Sequence, residues 1–359
     1  MSPGRVERLI AGFEAAGIDR LLIAAAPVNL RYATGFTGSN GIAVVGPDVR
    51  RFVTDFRYVE QAAAQVPGFD REQGPRDLLD ALRGPWPDGE VRLGFDDAHV
   101  SVRLHRRLRE LLPGHVELVP AAGLIERVRA VKEPGEIEAI RAAAQITDTV
   151  YAELAEEGLV GRTEREVAIA LEHRMRMLGA EGPSFSSIVA SGEHGSRPHA
   201  EPRDVPIGPD TLVTIDCGTI LDGYCSDCTR TWATGAALPD ALAEAYALTL
   251  RAQEAALAVV RPGASGREVD AVARDLIEAG GHGEHFGHPL GHGVGLDVHE
   301  DPRLARVNDR PLAAGNVVTV EPGIYLPGVG GVRIEDLVAV TADGAEVLSR
   351  TSKALTVVD

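Results

Sequence analysis

The spacing of hydrophobic and polar positions changes along the chain, and this pattern predicts helices that alternate with short strands. Over the first third, helical spacing covers Arg5–Ala16, Phe56–Val66 and Ser101–Leu112. Short apolar runs bounded by glycine or proline predict strands at Arg20–Ala26, Gly41–Val45, Arg51–Thr54 and Val91–Phe95. This alternation predicts an α/β domain at 1–122, followed by a second domain at 123–359.

The second domain contains an internal repeat. The triplet Arg165-Glu166-Val167 recurs as Arg267-Glu268-Val269, 102 residues later. Each half has a long helix followed by a second helix with a capping box. The long helices are predicted at Glu133-Pro134 onward and at Pro239–Val260, and the capping boxes at Thr163 with Glu166 and Ser265 with Glu268. The matched halves predict an α+β domain with a pseudo-two-fold axis.

A β-hairpin with two acidic residues is predicted after each helix pair. The first hairpin carries Asp216 and Asp227, and the second carries Glu321 and Glu335. We expect the two hairpins to join into one sheet. Each carboxylate lies in an otherwise apolar strand, where a bare buried charge is costly. Any one of them could be a solvated strand residue, but four in register with the repeat predict a site for two divalent metal ions.

An imidazole is a common further ligand of such a site. Five histidines lie between Gly281 and Glu300, namely His282, His285, His288, His292 and His299. His292 is flanked by Gly291 and Gly293, which indicates a close approach of the backbone to a neighbour. A lone histidine is usually structural, and spacing alone leaves open which of the five is a ligand.

Composition narrows the range of functions. The formal net charge of −17 argues against nucleic acid as a partner, because phosphate binding needs clustered positive charge. No apolar run is long enough to cross a membrane, and the first 17 residues lack a signal-like apolar stretch. Together with three closely spaced cysteines, these features predict a cytoplasmic protein.

The cysteines include a C-x-x-C motif, Cys225 to Cys228, for which redox and zinc interpretations are available. Strand alternation argues against both. If Asp216 and Asp227 face the metals, then Cys217 and Cys228 face away, into packing against the helices. We therefore expect both to be buried, reduced and not metal ligands. The direction of Cys225 stays open.

Several segments of the second domain match a known family in chain order. They are Asp216-Cys-Gly218, Ser226-Asp-Cys-Thr-Arg-Thr231, Gly291–Glu300, Glu321-Pro-Gly323 and Val332–Asp336. With these segments, residues 124–359 resemble the pita-bread metallopeptidases, which include aminopeptidase P, prolidase and methionine aminopeptidase. The resemblance implies a dinuclear metal site with ligands Asp216, Asp227, His292, Glu321 and Glu335. In it, Asp227 and Glu335 would bridge the two metals.

Residues 1–122 are similar to the N-terminal domain of the proline-specific branch, on the segment Asn29–Ser39. The branch also carries histidines matching His199, His288 and His299, and an arginine matching Arg333. Creatinase, which has the same fold, has lost metal ligands, whereas this chain keeps all five. The resemblance therefore implies a metal-dependent exopeptidase, an Xaa-Pro dipeptidase or Xaa-Pro aminopeptidase, and by family habit a homodimer.

The family chemistry assigns roles to these residues. An oxygen-rich site suits Mn²⁺ and is compatible with Co²⁺, Zn²⁺ or Fe²⁺. A hydroxide bridging the metals would attack the scissile carbonyl, with Glu321 as proton acceptor. His199 and His299 would donate hydrogen bonds to the intermediate. Arg333 would hold Glu321 or the substrate carboxylate, or is alternatively a plain salt-bridge partner. His288 is expected at the substrate site.

Three further residues are candidates for substrate contacts. Phe185 and Tyr224 are candidates for an apolar wall around proline, and each is alternatively plain core. Arg303, four residues after His299, could bind a substrate carboxylate or be a solvated loop residue. Substrate length is left open, because a dipeptide and a longer peptide would both suit this reading.

Two other functions compete with this prediction. A methionine aminopeptidase-like enzyme would share the metal site, but the N-terminal domain argues against it. A non-catalytic binding protein on the same fold would typically have lost ligands, and none is lost here. Assays on Xaa-Pro and Met-Ala peptides, together with metal analysis, separate these alternatives.

Overall fold

The structure is a computed structural model, and it describes residues 4–359. The chain divides into two compact units, one ending at Arg129 and the other comprising Ala130–Asp359. The boundary predicted after residue 122 lies one short helix before this division. Among residues 4–359, no helix is both long and apolar enough to cross a membrane.

The N-terminal unit is built on a six-stranded mixed sheet in the order β4-β3-β2-β1-β5-β6. Its strands are β1 Arg20–Ile23, β2 Gly41–Val45, β3 Arg50–Thr54, β4 Asp70–Gln73, β5 Val91–Phe95 and β6 Val116–Pro120. Its helices are α1 Gly4–Ala11, α2 Phe13–Ala16, α3 Pro27–Thr34, α4 Val59–Gln65, α5 Val102–Leu111 and α6 Leu124–Ala130, the last reaching the unit boundary. β1 runs parallel to β5 and antiparallel to β2.

This unit confirms the predicted α/β class and differs from the sequence pattern in detail. The predicted helix at Arg5–Ala16 is interrupted at Gly12, and the one at Phe56–Val66 begins with a 3₁₀ turn. The pattern missed β4, because all its residues are exposed at the sheet edge and carry no apolar alternation. It also missed α3, which begins with Pro27 in its first turn.

The C-terminal unit carries the repeated helix pairs. They are α7 Pro134–Glu157 with α8 Glu164–Met177, and α9 Asp240–Leu257 with α10 Gly266–Ala279. Both predicted capping boxes are present. Thr163 accepts a hydrogen bond from the Glu166 amide at 3.1 Å, and Ser265 accepts one from the Glu268 amide at 3.2 Å.

Thirteen short strands complete this unit. They are β7 Gly182–Pro183, β8 Ile188–Ser191, β9 Leu212–Cys217, β10 Thr219–Leu221, β11 Tyr224–Cys225, β12 Cys228–Ala233, β13 Gly291–Gly293, β14 Glu300–Leu304, β15 Val317–Val320, β16 Gly323–Leu326, β17 Gly330–Arg333, β18 Asp336–Val340 and β19 Ala345–Val347. They form a sheet in the order β14-β13-β15-β18-β19, another in the order β12-β9-β8, and two small sheets, β11-β10-β7 and β16-β17.

The expectation of one joined sheet is wrong. The first acidic hairpin lies in the β12-β9-β8 sheet and the second in the five-stranded sheet. The predicted strand Val332–Val338 is interrupted at Ile334 and Glu335. There the Glu335 amide donates to the Thr229 carbonyl at 3.1 Å, so the two sheets meet at a predicted metal ligand. The repeat is therefore preserved in the elements, but the sheet is not continuous.

Each helix pair covers its own sheet with an apolar core. α7 and α8 pack on β9 and β12 through a buried cluster that includes Tyr151, Val167, Cys217 and Cys228. α9 and α10 pack on β15 to β18 through a second cluster. In residues 4–359 all three cysteines are buried and free of disulfides. Cys217 and Cys228 face each other across β9 and β12 on the helix side, as strand alternation predicted.

Candidate metal centre

The four predicted carboxylates converge at strand ends. Asp216 lies near the end of β9, Asp227 just before β12, Glu321 just after β15, and Glu335 between β17 and β18. The first three line a cavity of about 460 Å³. Since strands that are far apart in sequence end together here, the fold concentrates four carboxylates at one place beside the cavity.

Ligand atoms of Asp227, His292 and Glu335 all lie within 4.8 Å of one another. The Nε2 of His292 is 3.3 Å from Oε1 of Glu321 and 3.6 Å from Oδ2 of Asp227. The other ring nitrogen, Nδ1, lies 3.0 Å from the Gly293 carbonyl, which can only accept. In the neutral ring, Nε2 therefore presents a lone pair to carboxylate oxygens, an arrangement that fits a cation between them.

Unsatisfied oxygens support the same fit. Asp216 Oδ1 and Glu335 Oε1 are buried and have no hydrogen-bond partner. Their companion oxygens are bonded, Asp216 Oδ2 by Arg333 Nη2 and Glu335 Oε2 by the Thr229 hydroxyl, both at 2.7 Å. Buried carboxylate oxygens without partners are costly. In each residue, one carboxylate oxygen is thus oriented by a hydrogen bond from the protein, and the other is left to bind a cation.

Without bound cations, burial and mutual repulsion disfavour the ionised form of most of these carboxylates. Burial, followed by repulsion from neighbouring carboxylates, raises the pKa of Asp227 and of Glu335 well above the ordinary range. Burial also raises the pKa of Asp216, against the opposing effect of Arg333. Burial raises the pKa of Glu321 as well, but in the metal-free protein the hydrogen bond and charge that His292 supplies in its protonated form outweigh burial and lower the value to about 2. Divalent cations remove this repulsion, so the donor set fits them.

The glycines beside His292 are explained by close backbone contacts. A Cβ at Gly291 would lie 2.0 Å from the Thr319 carbonyl oxygen, and one at Gly293 would lie 2.2 Å from that of Asp301. These distances are far below van der Waals contact, so only glycine lets β13 lie between β14 and β15. The sequence correctly indicated a close approach here, and the structure identifies the neighbours.

A hydrogen-bonded chain runs from Asp216 along the cavity wall. Arg333 donates to Asp216 through Nη2 at 2.7 Å and to the Tyr325 hydroxyl through Nη1 at 2.9 Å. It also donates through Nε to Thr229 at 3.0 Å. Arg333 is thus bonded to Asp216, rather than to Glu321. Arg333 is almost fully buried, and its orientation is fixed on three sides.

The same chain continues to His288. Its Nδ1 lies 2.8 Å from the Pro289 carbonyl, so Nδ1 carries the hydrogen. Burial lowers the pKa of His288, which favours the neutral ring with Nε2 as acceptor. The Tyr325 hydroxyl, 3.0 Å away, therefore donates to Nε2 while its oxygen accepts from Arg333.

The other predicted residues divide between the cavity and the core. Phe185, His199, His288, His299 and Arg303 all line the cavity. The ring centroid of His299 is 4.4 Å from that of His292, and burial together with the His292 charge lowers the pKa of His299.

Tyr224 is the exception among the predicted substrate residues. It lies in a core cluster on β11 and is not among the residues lining the cavity. Its hydroxyl donates to Glu136 at 2.8 Å. This placement agrees with the alternative reading of Tyr224 as plain core, because the short β11 turns its ring toward α7.

Tyr325 is the cavity residue that the sequence reasoning missed. It follows Glu321-Pro-Gly323 on β16, and a Cβ at Gly323 would lie 2.5 Å from the Tyr325 hydroxyl. The ring occupies the space that Gly323 leaves. An aromatic residue two positions after a glycine beside a predicted ligand was the available signal, but strand alternation did not predict that the two would be in contact.

A second acid–histidine group lies in the N-terminal unit, where the sequence indicated none. Ligand atoms of Asp96, His99 and Glu126 lie within 4.8 Å of one another. The Asn29 amide nitrogen donates to Asp96 at 2.6 Å and to Glu126 at 2.7 Å. Arg129 in turn donates to the Asn29 carbonyl oxygen at 2.7 Å. The Asn29 amide thus links the two carboxylates, and this group is held together by hydrogen bonds within the N-terminal unit.

Comparison with known proteins agrees with the fold. Residues 138–342 match the model of metallopeptidase family M24, and residues 5–131 match the creatinase/prolidase N-terminal domain. The chain is 35% identical over 356 residues to an Xaa-Pro dipeptidase of Pyrococcus furiosus, covering 98% of this chain and 99% of that protein.

Solved structures give the same result. An Xaa-Pro dipeptidase from Bacillus anthracis is 39% identical, with a TM-score of 0.94 and 99% coverage of both chains. An X-Pro aminopeptidase from Thermotoga maritima is 37% identical, with a TM-score of 0.91, covering 99% of this chain and 100% of that one. Both kinds of enzyme thus share this architecture.

The fold and the acidic cavity define a metallopeptidase of the pita-bread type with an α/β N-terminal domain. The chain belongs to metallopeptidase family M24. The creatinase/prolidase N-terminal domain and the similarity to proline-specific enzymes do not favour the methionine aminopeptidase-like or non-catalytic alternatives.

Proposed function

We propose that this enzyme hydrolyses Xaa-Pro peptide bonds with two divalent metal ions, most suitably Mn²⁺. The observation that carries the proposal is the pair of unpartnered buried oxygens, Asp216 Oδ1 and Glu335 Oε1, within a cluster of four carboxylates, three of which line the cavity. Xaa-Pro specificity is supported by the dipeptidase and aminopeptidase named above, which match the chain almost end to end.

The proposed ligands are Asp216, Asp227, His292, Glu321 and Glu335. Bound there, the cations would supply Lewis acidity and lower the pKa of water toward neutrality. Four carboxylates and one imidazole form a hard, oxygen-rich set, which suits Mn²⁺ over softer metals. Thr229, Thr319 and Arg333 orient the ligands, since each donates to one of their carboxylate oxygens.

Glu321 is the proposed proton acceptor for the attacking water. Its low pKa keeps the carboxylate ionised at neutral pH. The Thr319 hydroxyl donates to Glu321 Oε1 at 3.0 Å, and Glu321 lines the cavity. The ionised carboxylate is available to accept a proton, and the low pKa of the resulting acid favours the return of that proton to the leaving nitrogen of proline.

His199 and His299 are the proposed donors to the reacting carbonyl. Both line the cavity and reach its solvent side. Because His299 titrates below its ordinary pKa, it is neutral near pH 7 and can still donate from one ring N–H. Donors placed at developing negative charge lower the barrier without needing to reorganise.

The proline ring needs an apolar wall and a polar end. The peptide nitrogen of proline carries no hydrogen, so a proline-specific enzyme must recognise the pyrrolidine ring rather than an N–H group. Phe185, Ile188 and Pro198 supply apolar surface to the cavity lining, which also includes His288 and Arg303. We propose that Arg303 binds the free carboxylate of a dipeptide, and that His288 lies beside the substrate.

We further propose a cytoplasmic homodimer. The three buried cysteines without a disulfide, which suit a reducing compartment, support the location. The N-terminal unit of this enzyme has no proposed catalytic residue, which supports a role for it in assembly.

Turnover on matched peptides tests the function. Purified enzyme with Mn²⁺ should cleave Ala-Pro, with less activity on Met-Ala, and lose activity on chelation. Ala-Pro-Ala measures the tolerance for length. In Arg303→Ala, a selective rise in KM for Ala-Pro relative to Ala-Pro-Ala would support carboxylate binding. Preferred cleavage of Met-Ala, or undiminished activity after complete metal removal, would contradict the proposal.

A further inference from the structure

The segment between β8 and β9 forms one wall of the cavity. Residues 198–202 of this segment line the cavity, and His199 is among them. The segment has little regular structure of its own, apart from the 3₁₀ turn Gly192–Ser196. Contacts from other elements of this unit must therefore fix the position of His199, because a loop alone does not hold a side chain in place.

One carboxylate joins the two ends of this segment. Glu164, the first residue of α8, has a fully buried side chain. At the near end, it accepts from the Ser191 amide at 2.9 Å and from the Ser191 hydroxyl at 2.8 Å. At the far end, it accepts from the Arg203 amide at 3.0 Å.

Two further side chains complete the arrangement. The Arg203 guanidinium spans both oxygens of Glu164, from Nε at 3.1 Å and from Nη2 at 3.0 Å. The Nδ1 of His194 is 3.0 Å from Oε2. Burial raises the pKa of Glu164, but the bonds from Arg203 and Ser191 outweigh it, so the pKa is lowered and the group is an anion. The hydrogen bonds from Ser191, His194 and Arg203 therefore all depend on the negative charge of Glu164.

The segment also contacts β17, which lies next to the proposed metal ligand Glu335. The Pro198 carbonyl, next to His199, accepts from Arg333 Nη1 at 3.2 Å. A Cβ at Gly331 would lie 1.9 Å from the Gly195 carbonyl oxygen, so the segment and β17 pack backbone to backbone. With Glu164 on one side and Arg333 on the other, the segment has a defined position relative to the metal ligands.

We propose that Glu164 is a positioning residue for catalysis, which holds the 191–203 segment closed so that His199 faces the cavity. It touches neither the cavity nor a proposed metal ligand, and acts only through the segment. The inference rests on the proposed function for its catalytic part. Its structural part, the fixing of both segment ends by one carboxylate, does not depend on which peptide is cleaved.

Glu164→Gln tests the proposal with the smallest change in shape. The amide keeps one acceptor but turns an NH₂ group toward donors at Ser191 or Arg203. We expect kcat/KM to fall about 10- to 100-fold, the size of effect expected from displacing a catalytic group by about 1 Å. Metal content should stay at the wild-type level, and hydrogen exchange should speed up at the Ser191 and Arg203 amides.

Glu166→Gln is the matched control, because Glu166 is an exposed carboxylate in the same helical turn and accepts only from the Thr163 amide. Its kinetics and the exchange at Ser191 and Arg203 should match wild type. If Glu164→Gln does not fold, Arg203→Met replaces it, since this side chain is 38% exposed. A smaller loss in the same direction is then expected.

A double mutant separates positioning from general stability. If Glu164 acts through His199, Glu164→Gln should cost little more in a His199→Ala background, within about twofold. Unchanged kinetics in Glu164→Gln, or losses that multiply fully in the double mutant, would overturn the proposal. A wild-type enzyme that fails on Xaa-Pro peptides would reject the proposed function, while the amide exchange would still test the role of Glu164.

Discussion

Asp227 and Glu335 come from different halves of the repeat and from different sheets, yet their ligand atoms and that of His292 lie within 4.8 Å of one another. The contact is made where the Glu335 amide bonds to the Thr229 carbonyl, two residues from Asp227. The join between the sheets therefore also sets the spacing of the two carboxylates proposed to bridge the metals.

Removing the charge of either carboxylate proposed to bridge the metals should abolish activity. We expect Asp227→Asn and Glu335→Gln each to lose bound metal and turnover, because each deletes a negative charge between two cations. Metal analysis beside an Xaa-Pro assay measures both effects. Asp222→Asn, at an exposed turn of the same hairpin, is the control and should behave as wild type. Two bound metals with full activity in either variant would remove it from the site.

The two cavity histidines proposed as hydrogen-bond donors, His199 and His299, should affect the turnover rate and not metal binding. His199→Ala and His299→Ala should keep their metals and lose turnover by about 10²–10³-fold, as expected when one donor to developing charge is removed. His285→Ala, which does not line the cavity, serves as the comparison. Unchanged kcat in both cavity variants would assign them a structural role.

Acid should destabilise the protein partly through His288. Burial lowers the folded-state pKa of His288 below its ordinary 6.5. As pH falls through 6.5, the unfolded chain gains a proton there before the folded one does, so the free energy of unfolding decreases. Above about pH 7.5 both states are neutral at this residue and the effect vanishes.

Thermal unfolding of wild type and His288→Gln between pH 8 and 5.5 measures this contribution. The variant should lose less stability than wild type over the lower part of that range, with equal metal present. Parallel curves would show that His288 takes up protons equally in both states.

The cysteines should be dispensable for catalysis. Burial raises the pKa of Cys217 and Cys228, so their thiolates are disfavoured. Cys228→Ala should keep metal stoichiometry and activity, at a cost of about 1 kcal/mol in stability from a small cavity. Reversible loss of activity through a Cys217–Cys228 disulfide on mild oxidation would contradict this expectation.

The assembly prediction concerns the whole chain. Sedimentation of the active enzyme should show a dimer or a larger species at assay concentrations. A monomer with full activity would contradict the proposed homodimer, and would leave the metal centre and the role of Glu164 unaffected.

The local chemistry of the chain was readable from the sequence. The capping boxes at Thr163 and Ser265, and the strand parity that separates Cys217 from Asp216, depend on neighbours a few residues apart. Helix and strand periods are local properties, so such patterns carry over directly into structure. The repeat added long-range information, because equivalent halves must present equivalent carboxylates.

Contacts between distant segments needed the tertiary structure. The sequence could not predict that the Val332–Val338 strand breaks at Glu335, that Tyr325 joins His288 to Arg333, or that Glu164 holds both ends of a cavity wall. Tyr224 shows the converse, because an aromatic residue near a ligand in sequence lies in the core. The periodicity of a helix or strand determines which face of the element a side chain lies on. Only tertiary packing decides which residues contact that face, since donors far apart in sequence compete for the same buried charge.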